Sequence, residues 1–282
     1  MARPIQQLRN RKDHWLPQCY LRGFIAPSRA SREKPLHCFF KETQEWDEVS
    51  TAEIGYDKGF YDYAVRVDAS AVTSPDSAFA RLEREFPLQR DSMAVNDFAN
   101  WQEHKQFLYE FMEMLPARSP LGRQHFEFEA RSLRGATVLA VGDDHTITVD
   151  SLEMRPLPEH AIRNVTISKM LQPVKSGQGW ATKLDWCLRY TDTESEGFCT
   201  TDQAIFVEGP LQSRDPQGRV SEDMLRHPDT LVFFPLCWRA VLFGSPRPFD
   251  KAYDRTHPQD VTTLRTKQKQ HATRFVASPV IF

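Results

Sequence analysis

Thr230-Leu231-Val232-Phe233-Phe234-Pro235 and Trp238-Arg239-Ala240-Val241-Leu242-Phe243 decide the fold class. Both runs are short, apolar and rich in β-branched and aromatic residues, the composition of strands. Only Leu236 and Cys237 separate them. A parallel pair needs a crossover of roughly a dozen residues or more, so this link makes an antiparallel hairpin. Residues 183–190 and 197–207 have the same texture and follow a turn marked by Gly177 and Gly179. Residues 173–282 therefore read as an antiparallel sheet plus a closing helix over about 258–276. The polar face of that helix carries Arg265, Lys267, Lys269 and Arg274.

Residues 14–172 read as a mainly helical half with one small hairpin. Pro17 suits a first helical turn because its φ is fixed, and Tyr20, Leu21 and Phe24 then share a face. Residues 36–41 and 45–49 alternate apolar and polar around Glu42-Thr43-Gln44, a hairpin pattern. Helical spacing recurs over 77–86, over a segment N-capped by Asp97 and carrying Trp101, Leu108 and Phe111, over about 121–139 with Gly142-Asp143-Asp144 as its exit, and over 158–171. Residues 1–13 are polar and expected to be mobile. With no repeat and no clear linker, the expectation is a single α+β domain over 1–282, its helices packed on a C-terminal antiparallel sheet.

The composition excludes some classes. Hydrophobic residues make up 40% of the 282, enough for a packed core. With 36 basic and 38 acidic residues there is no global basic excess, so a nucleic-acid site has to be a local patch. No apolar run reaches the ~18 residues of a membrane span, and the basic start has no apolar h-region, so a cytoplasmic protein is expected. Cys19, Cys38, Cys187, Cys199 and Cys237 include no C-x-x-C pair, so neither structural zinc nor a disulfide scaffold is expected.

Beyond composition, His14-Trp15-Leu16-Pro17-Gln18-Cys19-Tyr20-Leu21-Arg22-Gly23-Phe24 resembles the opening motif of domain-of-unknown-function family 4238, with Cys19 where an aromatic is more usual. Phe60-Tyr61, Arg118-Ser119-Pro120, Phe198-Cys199-Thr200-Thr201-Asp202 and Phe234-Pro235-Leu236 resemble later stretches of the same family. Gln203 and Ala204 depart from an Asn-Pro that the family carries there. The resemblance covers nearly the whole chain and implies no activity.

The polar residues within those motifs are the candidates for chemistry. His14, with an ordinary pKa near neutrality, suits a general acid or base. Asp202 would orient it or bind a metal, while Arg22, Arg118 and Thr201 would hold a phosphate or carboxylate. The expectation is a hydrolase, a nuclease or phosphodiesterase, acting on a phosphate-containing ligand or nucleic acid. The sequence leaves the cofactor unknown. The plainer alternative makes His14 a cap, Arg22–Asp202 a buried ion pair and Thr201-Asp202 a side-chain-bonded turn. A third reading is a non-catalytic protein- or nucleic-acid-binding module with Trp15, Tyr20, Trp46 and Trp101 as anchors. Asp143-Asp144-His145 has metal-ligand residue types but reads as a solvated turn. No Gly-rich phosphate loop, G-x-S-x-G or H-E-x-x-H pattern is present.

Overall fold

A computed structural model describes residues 12–62, 75–135, 138–141, 147–149, 155–172, 179–210 and 222–282. The Asp143-Asp144-His145 turn lies outside them, as do residues 1–11.

In chain order, β1 (Lys12–His14) leads through Pro17 into the one-turn α1 (Gln18–Leu21), followed by the hairpin β2 (Leu36–Phe40) and β3 (Glu45–Val49) and by β4 (Tyr56–Lys58). Then come α2 (Pro75–Val95), α3 (Lys105–Arg118) and α4 (Pro120–Ser132). Short strands follow: β5 (Arg134–Gly135), β6 (Val138–Val141), β7 (Ile147–Val149) and β8 (Arg155–Pro156), ahead of α5 (Glu159–Met170). The rest is β9 (Asp185–Tyr190), β10 (Thr200–Thr201), β11 (Phe206–Glu208), α6 (Glu222–Arg226), β12 (Leu231–Cys237), β13 (Ala240–Ser245), β14 (Tyr253–Arg255), α7 (Pro258–His271) and β15 (Phe275–Ser278).

The class is α+β. The hairpin that opened the reading is β12–β13, with Phe233 opposite Phe243 and Phe234 opposite Leu242. It forms the middle of a five-stranded sheet ordered β11-β12-β13-β9-β14. A four-stranded sheet ordered β10-β15-β2-β3 joins both ends of the described chain.

Several expectations need correction. The five-stranded sheet is not wholly antiparallel: β14 runs parallel to β9, with α7 and β15 still to come after it. The helix expected to reach 139 stops at Ser132, where Leu133 turns extended (ψ 149°) and Arg134–Gly135 pairs with Arg155–Pro156. The closing helix ends at His271, and Phe275–Ser278 is a strand against β2. Asp97 caps no helix. It has φ 47°, a 3-10 turn over Trp101–His104 precedes α3, and its carboxylate meets Arg239 at 2.7 Å. The run 197–207 divides into β10 and β11, which belong to different sheets.

Tyr20 shows how the layers are held. Its ring is fully buried, stacked on Phe234 at 5.8 Å and set edge-on to Phe24 at 5.2 Å. Phe86 of α2 and Phe111 of α3 stack on each other at 3.9 Å beside it. Each such aromatic pair adds about 0.5–1.5 kcal/mol beyond burial. The Tyr20 hydroxyl donates to the Pro235 carbonyl at 2.8 Å and lies 2.9 Å from Thr200 Oγ1, so one side chain ties α1 to both large sheets. Trp15, Tyr20 and Trp101 are all core residues, 2% exposed or less, and Trp46 packs against Phe39 and Phe282. Three of the four aromatic anchors expected for a binding module are therefore buried, and Trp46 is half-buried.

Candidate functional site

The opening motif builds one wall of a cleft of about 420 Å³. β1 contributes Lys12, Asp13 and His14, and α1 with its following turn contributes Gln18, Cys19 and Arg22. Glu83 and Arg84 come from α2, Arg118 from the end of α3, and Tyr61 from the loop after β4. Three of the five sequence candidates, His14, Arg22 and Arg118, thus converge on one cavity.

Arg118 is its floor and is fully engaged. It is 4% exposed and lies 4.4 Å over the Phe79 ring. Its guanidinium donates to the His14 carbonyl, to Glu83 and, at 3.3 Å, to the Tyr61 hydroxyl. A buried arginine paired in this way fixes where β1, α2 and α3 meet, and removing it would strand Glu83. Asp13, also buried, accepts from the Tyr61 amide at 3.2 Å, so Tyr61 is held at both ends.

His14 stands half-buried against Tyr56, with ring centres 5.5 Å apart. Its Nε2 is buried and has no hydrogen-bond partner among the described residues. Burial holds its pKa below the usual histidine range, and the nearby Arg118 and Lys12 cations push the same way. The imidazole is therefore neutral at pH 7. Cys19 is no nucleophile: burial, reinforced by Glu83, pushes its thiol up to about 12. The exposed positive groups at the mouth are Lys12, Arg22 and Arg84. With Arg118 they make four cations against the two carboxylates of Asp13 and Glu83 in the lining.

Thr201 and Asp202 do not line this cleft. Asp202 accepts from the Thr273 amide at 2.9 Å, the Arg274 amide at 3.1 Å, the Phe275 amide at 3.4 Å and the Thr273 hydroxyl. It ends α7 and starts β15. Thr201 Oγ1 donates to the Gln203 carbonyl at 2.7 Å and accepts from the Gln203 amide at 3.1 Å, the side-chain-bonded turn of the plainer alternative. The Arg22–Asp202 pair does not form: Asp202 is buried on these donors while Arg22 is exposed at the cleft. Sequence reasoning missed Glu83 and Arg84 and did not place Lys12 in a site with His14. Lys12 was visible as the neighbour of His14, but α2 carries no signal of which turn faces α1.

The basic stretch of the closing helix is also largely engaged. Arg265 donates to the Gly197 and Ser195 carbonyls, Lys267 meets Glu208 at 2.8 Å, Lys269 lies 3.8 Å from the Phe39 ring centre, and Arg274 meets Asp57 at 2.9 Å. Among the described residues no group of three or more His, Cys, Asp or Glu is placed to hold a metal ion. No helix among them is long and apolar enough to cross a membrane.

A family model described as "Protein of unknown function (DUF4238)" matches residues 12–278. No curated protein and no solved structure matches the chain.

Proposed function

The chain belongs to the DUF4238 family of proteins of unknown function, and we propose that the His14 cleft binds a phosphate-containing ligand and hydrolyses its ester. One observation carries this reading: a neutral imidazole with an unpartnered buried Nε2 lines the same cleft as the exposed cations Lys12, Arg22 and Arg84. Arg22 and Arg84 would take the phosphoryl oxygens, as guanidinium forks do. The His14 ring would turn its Nε2 into the cleft and accept a proton there from water as the water oxygen attacks phosphorus. The phosphorus–ester bond breaks, and the leaving alkoxide takes a proton from solvent. Arg118 is a positioning residue, holding the His14 backbone and Tyr61 in place.

The second reading is non-catalytic binding of the same ligand class, nucleic acid included. It is favoured by the engagement of Asp202 elsewhere, which leaves His14 without the orienting carboxylate expected from the sequence.

Both readings are tested with wild type, His14→Gln and the double variant Arg22→Gln/Arg84→Gln. The measurements are thermal shift with nucleoside phosphates and oligonucleotides, and hydrolysis of bis(p-nitrophenyl) phosphate with and without divalent cations. Saturating ligand at about a hundred times its Kd stabilises the fold by about 2.7 kcal/mol, a readable shift. The expected pattern is a shift lost in the arginine variant, and hydrolysis lost in His14→Gln with the shift retained. A shift without hydrolysis assigns the binding module. Neither a shift nor hydrolysis removes both readings.

A further inference from the structure

A second cleft, of about 330 Å³, lies between α4 and α5. Arg123 and Arg163 line it from opposite helices, with Glu127, Glu159 and Thr166. Both arginines are half-buried. Arg123 donates one bond, Nη1 to the Phe60 carbonyl at 3.0 Å. Arg163 donates two, Nε to the Asp62 carbonyl at 2.7 Å and Nη2 to the Gly59 carbonyl at 3.2 Å. A guanidinium carries five N–H donors, so most of Arg123's and more than half of Arg163's find no acceptor among the described residues.

The two carboxylates in the lining are both bonded to a third arginine instead of to this pair. Arg131, one or two turns farther along α4, takes Glu127 at 2.7 Å and Glu159 at 2.6 and 3.0 Å. Thr166 spends its hydroxyl proton on the Ile162 carbonyl at 2.8 Å. Two like charges therefore face one cavity, and among the described residues no carboxylate is bonded to either. Their mutual repulsion, after burial, holds the Arg123 pKa below the usual arginine value.

We propose that the α4–α5 cleft is a second anion site, in which Arg123 and Arg163 clamp a small multiply charged oxyanion, inorganic phosphate or the phosphate of a monoester. Two arginines with spare coplanar donors suit several oxygens on one centre better than a single carboxylate. Arg131 keeps the site open by sequestering Glu127 and Glu159. The site is separate from the His14 cleft and shares none of its lining residues.

The test is calorimetric titration of inorganic phosphate into Arg22→Gln/Arg84→Gln protein, which lacks the exposed arginines of the first cleft. One saturable binding event is expected. Adding Arg123→Gln should weaken it by about tenfold or more. Adding Arg131→Gln should do the same, because the freed carboxylates turn onto Arg123 and Arg163. Arg131→Gln removes no contact to the 59–62 loop, so it carries the test if Arg123→Gln fails to fold. No saturable event in the starting variant overturns the proposal, as does an event that both additions leave unchanged. Because the exposed first-cleft arginines, Arg22 and Arg84, are absent throughout, either result stands whatever happens to the hydrolase reading.

Discussion

Asp202 shows what one carboxylate does when three backbone amides and a hydroxyl converge on it. Hydrogen bonds to a charged acceptor contribute about 1.5–3 kcal/mol each where the donors are otherwise left unsatisfied. Asp202→Ala is expected to destabilise the protein by about 3 kcal/mol in urea unfolding while leaving phosphate binding to the His14 cleft unchanged. A stable variant that has lost ligand binding would return Asp202 to the site. His14 makes the complementary prediction. Its folded pKa lies below its unfolded value near 6.5, so the unfolded chain takes up a proton first. Stability from this group is full above pH 6.5 and is lost as pH falls through that value towards the lower folded pKa. His14→Gln should therefore lose less stability than wild type between pH 7.5 and pH 5.5, read from denaturant midpoints. At this scale the sequence named three residues that the structure places around one cavity. His14, Arg22 and Arg118 could be picked out as polar residues in specific motifs. The fate of Asp202 could not, because its partners lie some seventy positions away, at 273–275, in a stretch that reads as helix.

That stretch explains an element-scale error too. Ala272-Thr273-Arg274 contains neither Gly nor Pro, so no local signal stops α7. The stop is tertiary: Asp202 captures the amides that would have continued the ladder, and Phe275 is free to pair opposite Phe40. The hairpins, by contrast, were legible, since β2–β3 and β12–β13 carry their pairing in adjacent residues. A further element end depends on a partner. The 3-10 turn Trp180–Lys183 has no side-chain cap of its own at Gly179, and Glu113 from α3 accepts the Ala181 amide at 3.1 Å instead. Glu113 can approach because Gly179 has no side chain: a Cβ there would collide with both carboxylate oxygens. Gly179→Ala should cost about 1–3 kcal/mol, an overpacking penalty, seen as a lower melting temperature. An unchanged melting temperature would mean that α3 and this turn are not locked together in solution.

For the whole molecule, the succession of a mainly helical half and a strand-rich half announces an α+β class, but the sheet order is not written in it. β15 lies between β10 and β2, and β14 joins β9 in parallel. Such neighbours, distant in sequence, are decided by burial of the aromatic core around Tyr20 rather than by any local pattern. Removing residues 274–282 should leave β2 with an open edge and β10 without its partner. The expected outcome is loss of near-ultraviolet dichroism and a shift to aggregates in size-exclusion chromatography; a monomer with native dichroism would show that β15 is dispensable. The pairing of β2 with β15 also sets an order of events during synthesis. The Leu36–Phe40 strand leaves the ribosome early, and its partner follows only after the ribosome has read nearly the whole described chain, an interval on the order of tens of seconds at ordinary translation rates. Through that interval a nascent chain presents an unpaired edge with buried-type residues such as Leu36 and Cys38, so its yield in a cell depends on whatever shields that edge until the last strand arrives.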